Sequence, residues 1–314
     1  LTLGDVQAFI QYSRQFTQPL SQVASMATML QSGVASAERV FELLDAEEQE
    51  PETTEATAAA GIREGRVEFE HVRFSYSPDR ELIRDLSLVA DPGHTVAIVG
   101  PTGAGKTTLV NLVMRFYEID GGRITVDGID TRNRSAAKMA DHVSYLYQHP
   151  QQMFLKDTVR EDIALFPRGR KVPDAEAIVE RIIEEVGLSA LADRDGRSLS
   201  GGQQRRATLG IGLAMRPSLL LLDEPTSSLD IRSRDDVTAM LAALAETVRC
   251  AVVATHDMEL VATWASRVLV LDQGKVLADV TPRELFSRPE LTARTRLVPP
   301  QAARIALELG LDPL

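Results

Sequence analysis

The chain has 314 residues, 44% hydrophobic and 25% charged. That is an ordinary globular mix, which excludes collagen-like and disordered readings and allows about two domains. Thirty-four Lys and Arg against 45 Asp and Glu give a net charge of −11, and without a local basic stripe that argues against duplex DNA as a partner. The single cysteine, Cys250, excludes intrachain disulfides and multi-cysteine metal sites and fits a reducing compartment.

Residues 1–45 place Phe9, Ile10, Phe16, Leu20, Val23, Met26 and Leu30, then Val40, Phe41, Leu43 and Leu44, at helix-like intervals. Pro19 lacks an N–H and should kink or interrupt that helix. On periodicity, two readings stay open: an amphipathic packing helix, or the cytoplasmic end of a membrane helix. No run in the chain is long and apolar enough to read as a complete span. The first residue is Leu rather than Met, which leaves a fragment, a processed product and a separate subunit all open. From Glu42 to Thr57 the chain is acidic and carries no cation, small residues run on to Gly61, and residues 46–65 are expected to be a linker.

Structured sequence resumes at Arg66. Val67–Glu70 and Val72–Phe74 alternate as half-buried strands do. Thr95–Val99, Leu219–Leu222 and Ala251–Ala254 are short apolar runs of the kind that form buried parallel strands. A helix is expected from near Lys106 and another over Arg232–Val248, and the segment from Asp141 to Met215 reads as a mostly helical lobe. Arg267–Asp272, a Gln273-Gly274 turn and Lys275–Val280 predict a hairpin. Strands alternating with helices indicate an α/β fold with a mainly parallel sheet covered on both faces.

Three motifs carry chemistry. Gly100-Pro101-Thr102-Gly103-Ala104-Gly105-Lys106-Thr107 matches the phosphate-loop pattern and lies between an apolar strand and a helix, the context it requires. Its glycines let backbone N–H groups wrap the phosphates. Lys106 would reach the β- and γ-phosphates, and the Thr107 hydroxyl would ligate Mg²⁺. The strand Leu219–Leu222 ends in Asp223, a second Mg²⁺ ligand, and Glu224, offset by one residue, is the candidate to orient and deprotonate an attacking water. Leu199-Ser200-Gly201-Gly202-Gln203 opens a helix as an anion site. A chain with one complete phosphate loop has no need of a second for its own nucleotide, so this turn is expected to press on ATP bound to another subunit.

With these elements in this order, residues 66–282 resemble the nucleotide-binding domains of ATP-binding cassette (ABC) transporters. The resemblance implies a P-loop NTPase fold with a RecA-like core, an antiparallel β subdomain and an α-helical signature subdomain. It implies that Tyr76 stacks on adenine, that Thr108 belongs with the phosphate loop, and that Gln148 senses Mg²⁺ and the attacking water. It further implies that Leu199–Gln203 are the signature, that Ser227–Asp230 cross between subunits, with Asp230 near the nucleotide, and that His256 contacts the γ-phosphate.

Residues 1–125 are similar to an exporter: Ala37-Glu38-Arg39-Val40-Phe41 and Met114-Arg115-Phe116-Tyr117 carry that likeness. From about Asp130 the chain is similar to the ATPases of energy-coupling-factor importers. Gln148-His149-Pro150, Asp223-Glu224-Pro225-Thr226, Thr255-His256-Asp257 and Val298-Pro299-Pro300 carry that one, and the exporter Gly-Glu-Arg-Gly run is replaced by Asp193-Arg194-Asp195-Gly196. The domain expectation is therefore a helical segment over 1–45, a linker over 46–65, the ATPase over 66–282 and a helical extension over 283–314.

The expected activity is ATP hydrolysis, with ATP and Mg²⁺ bound, by a homodimer or heterodimer of such domains. Their partner would be a transmembrane domain or subunit, at the cytoplasmic face of the membrane, with export or import both open. A soluble ABC ATPase acting on DNA or ribosomes fits less well. DNA-repair members carry a coiled coil between phosphate loop and signature, ribosome-acting members have two cassettes, and this chain is acidic. A small-molecule kinase or GTPase leaves Leu199–Gln203 unexplained.

Overall fold

The computed structural model describes residues 2–46, 64–77, 80–245 and 248–314. The chain divides into two units, Leu1–Pro51 and Glu52–Leu314. Most of the expected linker lies outside the described residues.

The first unit is one helix, α1 (Leu3–Leu44). Its N-terminus is closed by the Asp5 carboxylate, which accepts from Thr2 N and Oγ1 at 2.8 and 2.9 Å. The helix runs through Pro19 without a break. A proline removes one internal bond, and the long stretches of helix on either side hold the register. No residue of α1 is buried, and Phe9, Tyr12, Phe16, Val23 and Met29 stand open. No helix among the described residues is long and apolar enough to cross a membrane.

The second unit is built on two sheets. β1 (Val67–Ser77), β2 (Arg80–Ala90), β4 (Gly121–Val126) and β5 (Ile129–Asp130) make an antiparallel sheet of order β2-β1-β4-β5. β3 (Thr95–Val99), β6 (Val143–Leu146), β7 (Leu219–Asp223), β8 (Cys250–Ala254), β9 (Arg267–Asp272) and β10 (Lys275–Val280) make the other, of order β10-β9-β3-β8-β7-β6. In it β6, β7, β8, β3 and β9 pair in parallel, and β10 closes one edge antiparallel.

The apolar strands read as continuous runs because both faces are covered, and the two-residue period sorts their side chains. Ile98, Leu221 and Val252 face a core shared with Val67 and Phe69 of the antiparallel sheet and with Leu109 of α2 (Lys106–Val113). Val99, Leu220, Leu222 and Val253 face a second core with Val237 and Leu241 of α7 (Ile231–Ala245) and Trp264 of α8 (Met258–Trp264). The C-terminal helices α9 (Pro282–Phe286), α10 (Pro289–Arg294) and α11 (Gln301–Glu308) follow β10, and Phe286 and Ala303 are buried in that second core. So α2, which opens at Lys106, is held between the two sheets.

The segment 141–215 departs from the expectation at its start. Val143–Leu146 is an edge strand of the large sheet, because four consecutive apolar-compatible residues are buried beside β7. After the short α3 (Ala136–Met139) and this strand, the lobe proper is α4 (Val159–Gly169), α5 (Ala175–Glu185) and α6 (Gly201–Ala214). Ile163, Val179, Ile182, Ile183 and Ala207 close its own small core. Thr158 caps α4 by accepting from Glu161 N, and Ser200 caps α6.

Candidate functional site

The loop between β3 and α2 lies beyond the C-terminal end of a parallel strand, the edge where open α/β sheets bind ligands. Two of its glycines are structurally demanded. Gly105 is the N-cap of α2 at φ +101°, which a side chain disfavours. A Cβ on Gly100 would run into the backbone oxygen of Leu271. The Lys106 ammonium curls back into this loop, donating to Gly100 O at 2.8 Å and Pro101 O at 3.2 Å. Burial pushes its pKa below the ordinary lysine value, while the carboxylates of Glu224 and Asp223 pull it up.

β7 carries the first of those carboxylates to the same edge. Asp223 is buried, and its Oδ1 accepts from the Thr107 hydroxyl at 3.2 Å, its Oδ2 from the Tyr145 hydroxyl at 3.4 Å. Burial raises the Asp223 pKa, the Glu224 charge adds to the rise, and the hydrogen bond from Thr107 offsets only part of it.

Glu224 leaves the strand at φ +47°, a left-handed conformation uncommon for a residue with a side chain. Its carboxylate meets the end of β8. Oε2 accepts from Thr255 Oγ1 at 3.1 Å and from His256 N at 3.4 Å, and Oε1 lies 2.8 Å from His256 Nδ1. Thr255 is fully buried, whereas the His256 side chain is 70% exposed. The Glu224 carboxylate thus holds an exposed imidazole at one nitrogen and leaves its other nitrogen to a ligand.

These groups open on one cleft of about 650 Å³, lined by Tyr76, Thr102, Gly103, Gly105, Lys106, Thr107, Thr108, Gln148, Glu224 and His256. Tyr76 is 54% exposed, so it is no sheet-core tyrosine. Its hydroxyl lies 2.9 Å from Thr108 Oγ1, and its ring meets Phe74 and Tyr117 edge-on, at centroid distances of 4.8 and 5.1 Å. Gly100, Pro101 and Ala104 shape the loop without lining the cleft, and Asp223 adjoins it through Thr107.

Outside the loop, five further expected nucleotide contacts also do not line this cleft: Ser200, Gly201, Gly202, Gln203 and Asp230. Ser200 and Gln203 form a reciprocal capping box at the start of α6. Asp230 caps α7 one-sidedly, its carboxylate accepting from Ser233 N at 2.9 Å and Ser233 Oγ at 2.8 Å. A larger cavity of about 850 Å³ runs between α5 and α7 past Ile182, Leu213 and Met240. None of the residues expected from the sequence lines it.

Three residues that sequence reasoning passed over support the cleft. Tyr145 and Thr255 sit in or beside strands, where their polar atoms give no local signal. Arg205 is 2% exposed and donates to the carbonyls of Tyr147 and Gln148, both at 2.8 Å, and of Glu224 at 3.3 Å. Burial pushes its pKa down to about 10, still charged at neutral pH. Its neighbours Gln204 and Arg206 are polar, so no local signal in the sequence marks this cation as buried.

Residues 83–227 match the ABC transporter family. The energy-coupling factor transporter ATP-binding protein EcfA of Methanothermobacter thermautotrophicus is 32% identical over 250 residues, which cover 78% of this chain and 80% of that protein. The chain belongs to the ABC transporter ATP-binding family. Members of this family bind and hydrolyse ATP.

The fatty acid ABC transporter ATP-binding/permease protein of Mycobacterium tuberculosis is 43% identical over 299 residues, or 92% of this chain. A bacterial Atm1-family ABC exporter solved with ATP bound superposes with a TM-score of 0.69 at 28% identity over 94% of this chain. The chain spans about half of each longer protein, 46% of the first and 53% of the second. Exporter-type and energy-coupling-factor relatives thus both match one ABC ATPase, as the two sets of motifs had implied.

Proposed function

We propose that two copies of this ABC ATPase, or one copy and a homologue, close on two ATP molecules. Each nucleotide would lie between the Lys106 loop of one chain and the Ser200 turn of the other. The loop residues 100–105 and Lys106 hold the β- and γ-phosphates, Tyr76 carries the adenine, and Gln148 and His256 reach the γ-phosphate. Glu224 takes the proton of the attacking water as the bond from phosphorus to the ADP oxygen breaks. Ser200 to Gln203 and Asp230 act across the pair.

One observation carries the reading. Lys106, Thr107–Asp223 and the Glu224–His256 pair converge on one cleft, while the Ser200 helix cap lies outside it. A test is dilution of the full chain. Turnover per chain should rise with concentration as chains pair and fall away as they separate. A strictly monomeric chain working at the full rate rejects the pairing.

The donor set fits Mg²⁺. Thr107 Oγ1 and Asp223 Oδ1 are hard oxygens in direct contact, and among the described residues no cluster of three or more His, Cys, Asp or Glu would cage a metal by protein alone. Mg²⁺ held this way takes its other ligands from phosphate and water and neutralises charge on the transferred group.

The raised pKa of Asp223 makes this ligand costly to the nucleotide-free fold. Protonated Asp223 favours the folded state. That contribution is complete below the ordinary carboxylate pKa and is lost as pH rises through the raised one. Asp223→Asn should therefore raise the nucleotide-free melting temperature at pH 8 and remove the added stability that MgATP gives the wild-type chain. A variant that melts no higher without nucleotide, or that keeps the Mg²⁺-dependent stabilisation, takes Asp223 out of the ligand set.

We further propose that the pair drives a transmembrane partner at the cytoplasmic face of the membrane. An exporter-type arrangement is supported by α1, because an alignment over 92% of the chain runs well into that open-faced helix. An importer-type ATPase is the second reading. Asp257, where the exporter pattern usually carries Arg, caps α8 by accepting from Glu259 N and Leu260 N, and it also accepts from Thr226 Oγ1 at 2.7 Å. An arginine offers no acceptor for that work.

A further inference from the structure

Arg205 is a charge in the wrong place for stability. Its side chain is buried between α6, the residues after β6 and the residue after β7, with no carboxylate in salt-bridge contact among the described residues. Burying a cation is expensive unless its donors are satisfied. Here two arms of the guanidinium are satisfied by three backbone carbonyls, and Nε has no acceptor. A packed apolar side chain would serve the fold as well. What an apolar side chain lacks is the ability to tie three separate points together.

The three points are informative. Tyr147 and Gln148 follow β6, and Gln148 lines the cleft; Glu224 follows β7 and sits in the same cleft. Arg205 stands on α6, which opens at the Ser200 cap, under a turn and a half of helix away. An α-helix is stiff over that distance, so any displacement of the Ser200 turn carries the guanidinium with it. One nitrogen, Nη2, holds the carbonyls of both Gln148 and Glu224.

We propose that Arg205 is a positioning residue that converts occupation of the Ser200–Gln203 turn by the partner chain's nucleotide into the alignment of Gln148 and Glu224 over the chain's own ATP. This inference rests on the paired reading above. It adds to that reading the connection by which each half of the pair reports to the other. The planar fork of arginine presents two nitrogens, Nη1 to Tyr147 and Nη2 to Gln148 and Glu224, whereas an ammonium has a single nitrogen to serve all three carbonyls.

The test uses Arg205→Gln and Arg205→Lys in the full chain, with three measurements: ATP kinetics, ATP-dependent pairing, and amide exchange of the 147–149 segment. In both variants KM and pairing should stay within about twofold of wild type while kcat falls about ten- to a hundredfold, the pattern of lost alignment rather than lost binding. The exchange protection that ATP confers on 147–149 in the wild-type chain should disappear.

Should Arg205→Gln fail to fold, the lysine variant, which keeps the charge, decides. Wild-type kcat in either folded variant overturns the proposal, as does a joint fall of kcat, KM and melting temperature, which would make Arg205 a strut. A wild-type chain that does not pair on binding ATP fails on the paired reading instead, and that outcome is visible without any Arg205 variant.

Discussion

Glu224→Gln should lower ATP turnover by about 10²- to 10⁴-fold, the range for loss of a positioned general base, and leave ATP affinity unchanged. Geometry explains why the change is so selective. The glutamine is the same size and keeps one oxygen to accept from Thr255 Oγ1, which reaches the carboxylate at 3.1 Å from a fully buried position. Its amide nitrogen can donate to His256 Nδ1, now 2.8 Å from Oε1, provided the imidazole carries its proton on the other nitrogen. Loop and fold remain intact while the carboxylate proposed to accept the water's proton is gone. With hydrolysis stopped, the ATP-bound pair should accumulate and be separable from monomer by size. The water-activating role is lost if the purified variant hydrolyses ATP at the wild-type rate.

Gly201→Asp is expected to stop turnover as thoroughly by acting across the pair. Gly201 has no left-handed backbone, and a Cβ there meets nothing nearer than Leu229 Cδ2 at 3.5 Å, an ordinary contact. The carboxylate falls in the first turn of α6, where negative charge favours a helix by about 0.3–1 kcal/mol. Melting temperature should hold or rise slightly. The same charge would face the partner's triphosphate, and like charges brought together at an interface cost several kcal/mol, about a hundredfold or more in rate.

ATP binding to a single chain is untouched, because Gly201 does not line the cleft. Gly202 would be a poor choice for this experiment. A Cβ on it would sit 2.6 Å from Ser233 Oγ, so any loss there mixes packing with function. A Gly201→Asp chain with full activity would return Leu199–Gln203 to a plain helix cap.

The parts of the site that were legible in the sequence share one property: their chemistry is local. The phosphate loop supplies its own turn, its own lysine and its own helix start within eight residues, and strand β3 before it is an apolar run on its face. The hairpin at 267–280 was legible at residue level for the same reason, a Gln273-Gly274 turn between two runs that pair across it. Val143–Leu146 was not, because it is short, contains Ser144 and Tyr145, and becomes a strand only through its neighbour β7. Helix α7 is described as far as Ala245, and residues 246–247 of its expected end lie outside the described residues.

By itself the sequence determined which side chains are the candidates for phosphate, metal and water, since the spacing of Gly100 to Thr107, of Asp223 to Glu224 and of Ser200 to Gln203 is a property of contiguous backbone. Tertiary structure alone decided how those pieces answer to one another. Glu224 meets Thr255 and His256 from 31 and 32 residues away, Thr107 reaches Asp223 across 116, and Arg205 gathers carbonyls 57 and 58 residues before it and 19 after. No local rule encodes such meetings. They arise because parallel strands adjacent in the sheet are remote in the chain, so their C-terminal ends deliver unrelated segments to one edge.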